Sequence, residues 1–225
     1  DVVVDSPTVV VAVPEGPFAA RAEAVAPIDK ELRRRLKRAL ADEQNEVLDL
    51  LRRAKPKGVD DLLPSVDDHA ARWAEAAAGP LDDAATSGAT SVGGATTDVP
   101  DLANDLAQSL TGPLRERIDR SFAASDGNLD DVADRVRALY REWKGQRLSE
   151  ASEHFVTAAY ARGVFHAIDP VATVHWVVDP SVGACPDCDD NVLAGAIPKG
   201  DDFPTGNACA PAHPGCHCLV LAQSD

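Results

Sequence analysis

Residues 185–190 read CPDCDD, and residues 208–218 read ACAPAHPGCHC. All five cysteines of this 225-residue chain, and two of its six histidines, lie between Cys185 and Cys218. The surrounding tail is rich in Gly, Pro and Asp, and it is too short to bury a core of its own. Such a segment needs a staple, either disulfides or a metal. An odd number of cysteines, and no mark of secretion, argue against disulfides. The Cys185-x2-Cys188 spacing lets two thiolates converge on one ion from a tight turn. His213-x2-Cys216 supplies a compact second pair on a proline-rich turn. Cys185, Cys188, His213 and Cys216 therefore read as a closed tetrahedral zinc site, with bonds of about 2.3 Å to sulfur and about 2.0–2.1 Å to nitrogen. Cys218 shares a face with Cys216 if the segment is a strand, and Cys209 is a further substitute. His217 points away from Cys216 in that case. The competing readings are reduced cysteines packed as small hydrophobes and a disulfide.

The pattern reads as structural. A catalytic zinc keeps a position open for water and has a carboxylate base nearby. The chain has no HExxH and no H-x-E paired with P-C-x-x-C. Asp187, Asp189 and Asp190 crowd the C-x2-C pair and would raise its thiol pKa values, unlike a redox C-x-x-C.

Composition bounds the rest. Hydrophobic residues make up 44% and aromatics 4%, so the core is built mainly from Ala, Leu and Val with thin helix–helix packing. Net charge is −15, which disfavours generic nucleic-acid binding. Residues 30–57 nevertheless sum to +5, against −20 for the remainder. Arg33, Arg34, Arg35, Lys37 and Arg38 are the candidate contact to DNA or to an acidic protein surface; the blander reading is a solvated helix face. No run of about 18 apolar residues occurs, and the opening lacks a basic start. Neither a membrane span nor a signal peptide is expected. The absence of methionine reads as an excised or processed chain.

The expected fold is mainly α, with a small α+β, zinc-stapled C-terminal module. Residues 1–28, with many valines, read as an extended arm. Residues 29–84 form a helical region. Its first helix starts at an Asp29 cap and carries Leu32, Leu36, Leu40, Val47 and Leu51 at helical spacing. Ser65 and Asp68 cap a second helix, stopped by Gly79-Pro80. Residues 85–100, rich in Ser, Thr and Gly, read as a flexible linker. Residues 101–168 read as helices broken near Gly112-Pro113, capped at Asn128 and stopped at Gly163. Residues 169–225 are the Cys/His module, entered by a strand at 171–178. Trp73, Trp143 and Trp176 are expected core anchors, and His69, His154 and His166 carry no assigned role.

The order HWVVDPS, CPDC, FPTG and PAHPGCHC resembles the C-terminal signature of phage minor head proteins, the Mu F-like or head-morphogenesis family. The resemblance covers about residues 145–222. Gly215 stands where that family tends to have Asn, His217 where it tends to have Arg, and Cys209 is extra. The resemblance implies a structural virion protein of the phage head interior or portal vertex, assembled in the host cytoplasm and oligomeric in the particle. Its partners would be the portal and other head proteins, and its work head assembly or DNA ejection. The alternative reading is a capsid maturation protease or other zinc-dependent hydrolase, for which no Ser/His/Asp order or G-x-S-x-G is present.

Overall fold

A computed structural model describes residues 16–95 and 97–223. The protein is 66% helical, with one small three-stranded antiparallel sheet. Five helices, α1 (Pro17–Arg53), α2 (Val66–Ser91), α3 (Pro100–Ala123), α4 (Leu129–Glu142) and α5 (Leu148–Ala167), share one apolar core. Strand β1 (Thr173–Val177) follows, then the short helix α6 (Pro186–Leu193), β2 (Ile197–Pro198) and β3 (Leu219–Ala222). The strand order is β2-β1-β3, with Val174 opposite Ile197 and Trp176 opposite Val220.

Helix α1 starts twelve residues before the expected Asp29 cap. Gly16 turns the chain at φ 113°, and Pro17 takes the first helical position, where its missing N–H costs nothing. Pro27 lies within the helix. The extended arm expected over residues 1–28 is therefore helical from Pro17, and its first fifteen residues lie outside the described ones. Asp29 caps nothing: its carboxylate pairs with Arg33 at 2.7 Å and accepts the Ser152 hydroxyl at 2.7 Å.

The Ser65 cap is present, its Oγ accepting from the Asp68 N–H at 3.1 Å. Gly79-Pro80 does not stop α2, however, and Pro80 is buried inside it. The linker expected over 85–100 shrinks to the loop after Ser91. Residues 85–91 are helical, and their hydroxyls fold back on the helix. Ser87 donates to the Asp83 carbonyl at 2.8 Å, Thr90 to Thr86 at 2.9 Å and Ser91 to Gly88 at 2.7 Å. The small side chains also serve packing. A Cβ at Gly88 would enter the Tyr160 carbonyl of α5, and one at Gly163 would enter the Ala85 carbonyl of α2. The two backbones touch, so Gly163 is a contact residue inside α5 and does not end it.

Helix α3 likewise runs through Gly112-Pro113 without a break. Asn128 caps α4 as expected, accepting from the Asp130 and Asp131 N–H groups. A π-helical turn at Trp143–Arg147 joins α4 to α5. All three tryptophans are buried. A second apolar cluster, including Trp176, Phe203, Cys188, Cys216 and Cys218, fills the C-terminal module. A third, of Tyr160, Val164 and Leu219 with Phe18 and Val25 against it, joins the module to α5 and the start of α1.

Candidate metal centre

The centre is assembled by three turns. Beyond β1, Asp179 Oδ1 accepts the N–H and hydroxyl of Ser181 at 2.9 and 2.6 Å. The Asp179 carbonyl takes the N–H groups of Val182 and Gly183. This turn delivers Cys185 to the N-cap of α6, where its Sγ accepts the Cys188 N–H at 3.5 Å. One helical turn then puts Cys188 beside it. The buried Asn191 side chain holds Thr205 by two hydrogen bonds, 2.9 and 3.2 Å, and so fixes the returning loop to α6. Finally, the Cys216 N–H closes a turn on the His213 carbonyl at 3.1 Å, with Gly215 at φ 82°. A side chain with a Cβ is disfavoured at that angle, and Gly or Asn suits it.

These turns bring all four predicted ligands into one cluster. Cys185, Cys188 and His213 have donor atoms within 4.8 Å of one another, and so do Cys188, Cys216 and Cys218. Cys188 belongs to both groups. His213 Nε2 lies 2.9 Å from Cys185 Sγ and 3.9 Å from Cys188 Sγ, and Cys188 Sγ lies 3.6 Å from Cys216 Sγ. The last distance is close to the edge of a tetrahedron with 2.3 Å metal–sulfur bonds, about 3.8 Å. Cys218 joins the cluster as the same-face spacing foresaw. Cys209 does not: its thiol donates to the Ala210 carbonyl at 3.1 Å, and burial pushes its pKa up to about 12. His217 also stays outside both groups.

The cluster's own electrostatics favour the thiolate at Cys216 and Cys185 and oppose it at Cys188 and Cys218. Hydrogen bonding from the Cys218 thiol holds Cys216 down at about 5, and Cys218 rises in return. The Cys188 backbone N–H lowers Cys185, while burial raises Cys188 to about 12. His213 Nδ1 sits 2.9 Å from the Pro214 carbonyl. A carbonyl only accepts, so Nδ1 carries a proton here and Nε2 faces the sulfurs. That is how a ligating imidazole is oriented. The cluster can hold a metal ion.

The basic run of α1 has a different surrounding. Arg34 and Arg35 share Glu31 at 2.7 and 2.8 Å, Arg33 pairs with Asp29 at 2.7 Å, and Arg38 lies 3.7 Å from Asp42. Three acids within a turn pair four of its five cations, so the run stays net positive.

Sequence reasoning missed a second polar site. Glu43, in α1, is 5% exposed and accepts from His69 Nε2 at 2.7 Å, Trp73 Nε1 at 2.9 Å and the Tyr140 hydroxyl at 2.7 Å. Glu43 occupies a position of the Leu36, Leu40, Val47, Leu51 stripe, so the signal was a carboxylate on the buried face of a helix.

Fold and site together define a helical bundle with a small sheet-bearing module whose Cys/His cluster can take a metal. No family model, curated protein or solved structure matches the chain. Among the described residues, no helix is long and apolar enough to cross a membrane.

Proposed function

We propose that the cluster binds zinc as a structural staple, and that the chain is a minor head protein of a bacteriophage virion, seated at the portal vertex. The observation that carries the reading is the convergence of CPDC and PAHPGCHC on one cluster, in the order that resembles the Mu F-like signature. The Gly215 departure is mild, because Gly and Asn both accept the left-handed backbone found there. The donor set of thiolates and one imidazole fits zinc, and an oxygen-preferring ion would be poorly served. Cys185, Cys188, His213 and Cys216 are the proposed ligands, with Cys218 as a fifth donor beside them. The Trp176 indole N–H is buried without a hydrogen-bond partner among the described residues. Bound zinc supplies fixed geometry to the module.

Five donors around four positions leave none for a reacting water, which supports assembly over catalysis. The module then presents a rigid surface to the portal and other head proteins. The run at residues 33–38 suits a protein partner better than DNA, because the chain's net charge of −15 repels phosphate.

The test is made in a phage that encodes this chain, with Cys185→Ser and Cys188→Ser together. The expected result is particles that lack the protein or fail to deliver DNA, with normal processing of the other head proteins. Arrested processing of the major head protein would establish the protease reading instead. Particles of unchanged composition and infectivity would contradict both.

A further inference from the structure

Arg21 lies in the second turn of α1, far in sequence from the metal centre, yet its guanidinium ends inside the C-terminal module. Its Nη2 is 2.7 Å from Asp179 Oδ2, and its Nη1 donates to the His217 carbonyl at 2.6 Å. The two side chains are 5% and 8% exposed. The Phe18 ring lies under the guanidinium, 5.1 Å from its centroid. Both acceptors belong to the scaffold of the metal centre. His217 sits between Cys216 and Cys218, and Asp179 heads the turn that delivers Cys185. One buried cation therefore ties both halves of the donor set to the first turns of α1.

We propose that Arg21 is a positioning residue of the metal centre, so that metal occupancy and docking of the start of α1 form one linked equilibrium. The proposal rests on reading the cluster as a metal site. A buried guanidinium is tolerated only while its partners stand in place, and breaking such a pair leaves an uncompensated charge. Bound metal fixes Cys185 and Cys216, and through them the Asp179 and His217 acceptors. Without metal, both turns lose that constraint, and Arg21 gains by returning to water. Linkage makes the effect reciprocal: undocking Arg21 weakens metal binding by the factor with which metal strengthens docking. This end of α1 is more lightly held than the rest: Phe18, Ala24, Val25 and Ile28 pack against the apolar clusters but are only partly buried. Pro27 removes one helical hydrogen bond between Arg21 and Leu32. From Leu32 onward the helix contributes fully buried residues to the bundle core. The start of α1 can therefore release while the bundle stays intact.

The test uses the full chain and zinc. Zinc affinity is measured by competition with a chromogenic chelator for wild type, Arg21→Met and Asp179→Asn. Hydrogen exchange is followed over residues 17–26 and 32–51, with metal bound and after chelation. Outer-shell partners of metal ligands typically carry roughly 10–100-fold in affinity, and a loss of that size is expected in both variants. Chelation of the wild type is expected to raise exchange over 17–26 and to leave 32–51 protected. Protection over 32–51 in the variants shows that the bundle has folded. Zinc bound equally well by wild type and both variants overturns the proposal alone, as does unchanged exchange over 17–26 on chelation. A wild-type chain that binds no zinc overturns the metal reading, and this proposal with it.

Discussion

Cys188→Ser is expected to abolish tight zinc binding and to unfold the C-terminal module, whereas Cys209→Ser is expected to retain both. Cys188 is the residue common to the two donor groups, so its loss leaves neither complete. The module has little to fall back on. Its sheet has strands of five, two and four residues, and its apolar cluster counts three of the cysteines among its members. Structural zinc contributes an apparent ~10–16 kcal/mol in zinc-finger peptides, folding energy that the metal-free chain lacks. The affinity loss in Cys188→Ser should therefore exceed the roughly 10–100-fold typical of outer-shell changes. Cys209 is the control. It is set apart from both groups, and its replacement should cost roughly 1 kcal/mol, the common value for a single substitution. Limited proteolysis with a zinc-competition titration reads both effects. Equal zinc affinity in the two variants would remove Cys188 from the site.

The second large effect belongs to the bundle. Glu43→Leu is expected to lower stability by roughly 3 kcal/mol or more, because each buried donor left unsatisfied costs roughly 1–3 kcal/mol. Three donors from two other helices, His69, Trp73 and Tyr140, would lose their acceptor at once. His69 is already strained in this respect, since its Nδ1 is buried with no partner among the described residues. Burial opposes ionisation of Glu43, yet the donors, His69 foremost, outweigh it and hold the carboxyl below its usual range. The sign of the pH dependence follows. A group whose folded pKa is depressed stabilises fully above its unfolded pKa, about 4.3 for Glu. That contribution is lost as pH falls through the folded value. The stability gap between wild type and Glu43→Leu, measured by urea unfolding, should be constant near neutrality and narrow only below about pH 4.3. A gap that is already closed at pH 6 would contradict the ionised reading of this site.

What the sequence made legible follows from how local each signal is. The C-x2-C and H-x2-C spacings are set within single turns, so they named residues that the fold brings into one cluster. Asn128 and Ser65 cap their helices through bonds spanning two or three residues, and both were readable. The errors came where distant packing overrode local preference. Pro80 and Pro113 read as breaks and Pro27 lay in a segment read as an extended arm, yet each sits inside a helix that tertiary contacts sustain. The Ser/Thr/Gly composition of 85–91 read as a linker because nothing local reveals that Gly88 packs on the Tyr160 backbone and Gly163 on that of Ala85. Glu43 was overlooked for the opposite reason: a lone carboxylate on an apolar stripe has meaning only once His69 and Tyr140 are known to reach it. Arg21 lay in a segment read as an extended arm, and its partners are remote in sequence.

The central claim is that the Cys/His cluster is a metal centre that holds the C-terminal module together. Native mass spectrometry of the purified full chain, before and after acid release of metal, tests it most directly. The expected result is about one zinc per chain, as a single closed four-ligand site requires, with residues 169–223 becoming protease-sensitive when the zinc is removed. A chain isolated without metal whose C-terminal module nevertheless resists protease would contradict it.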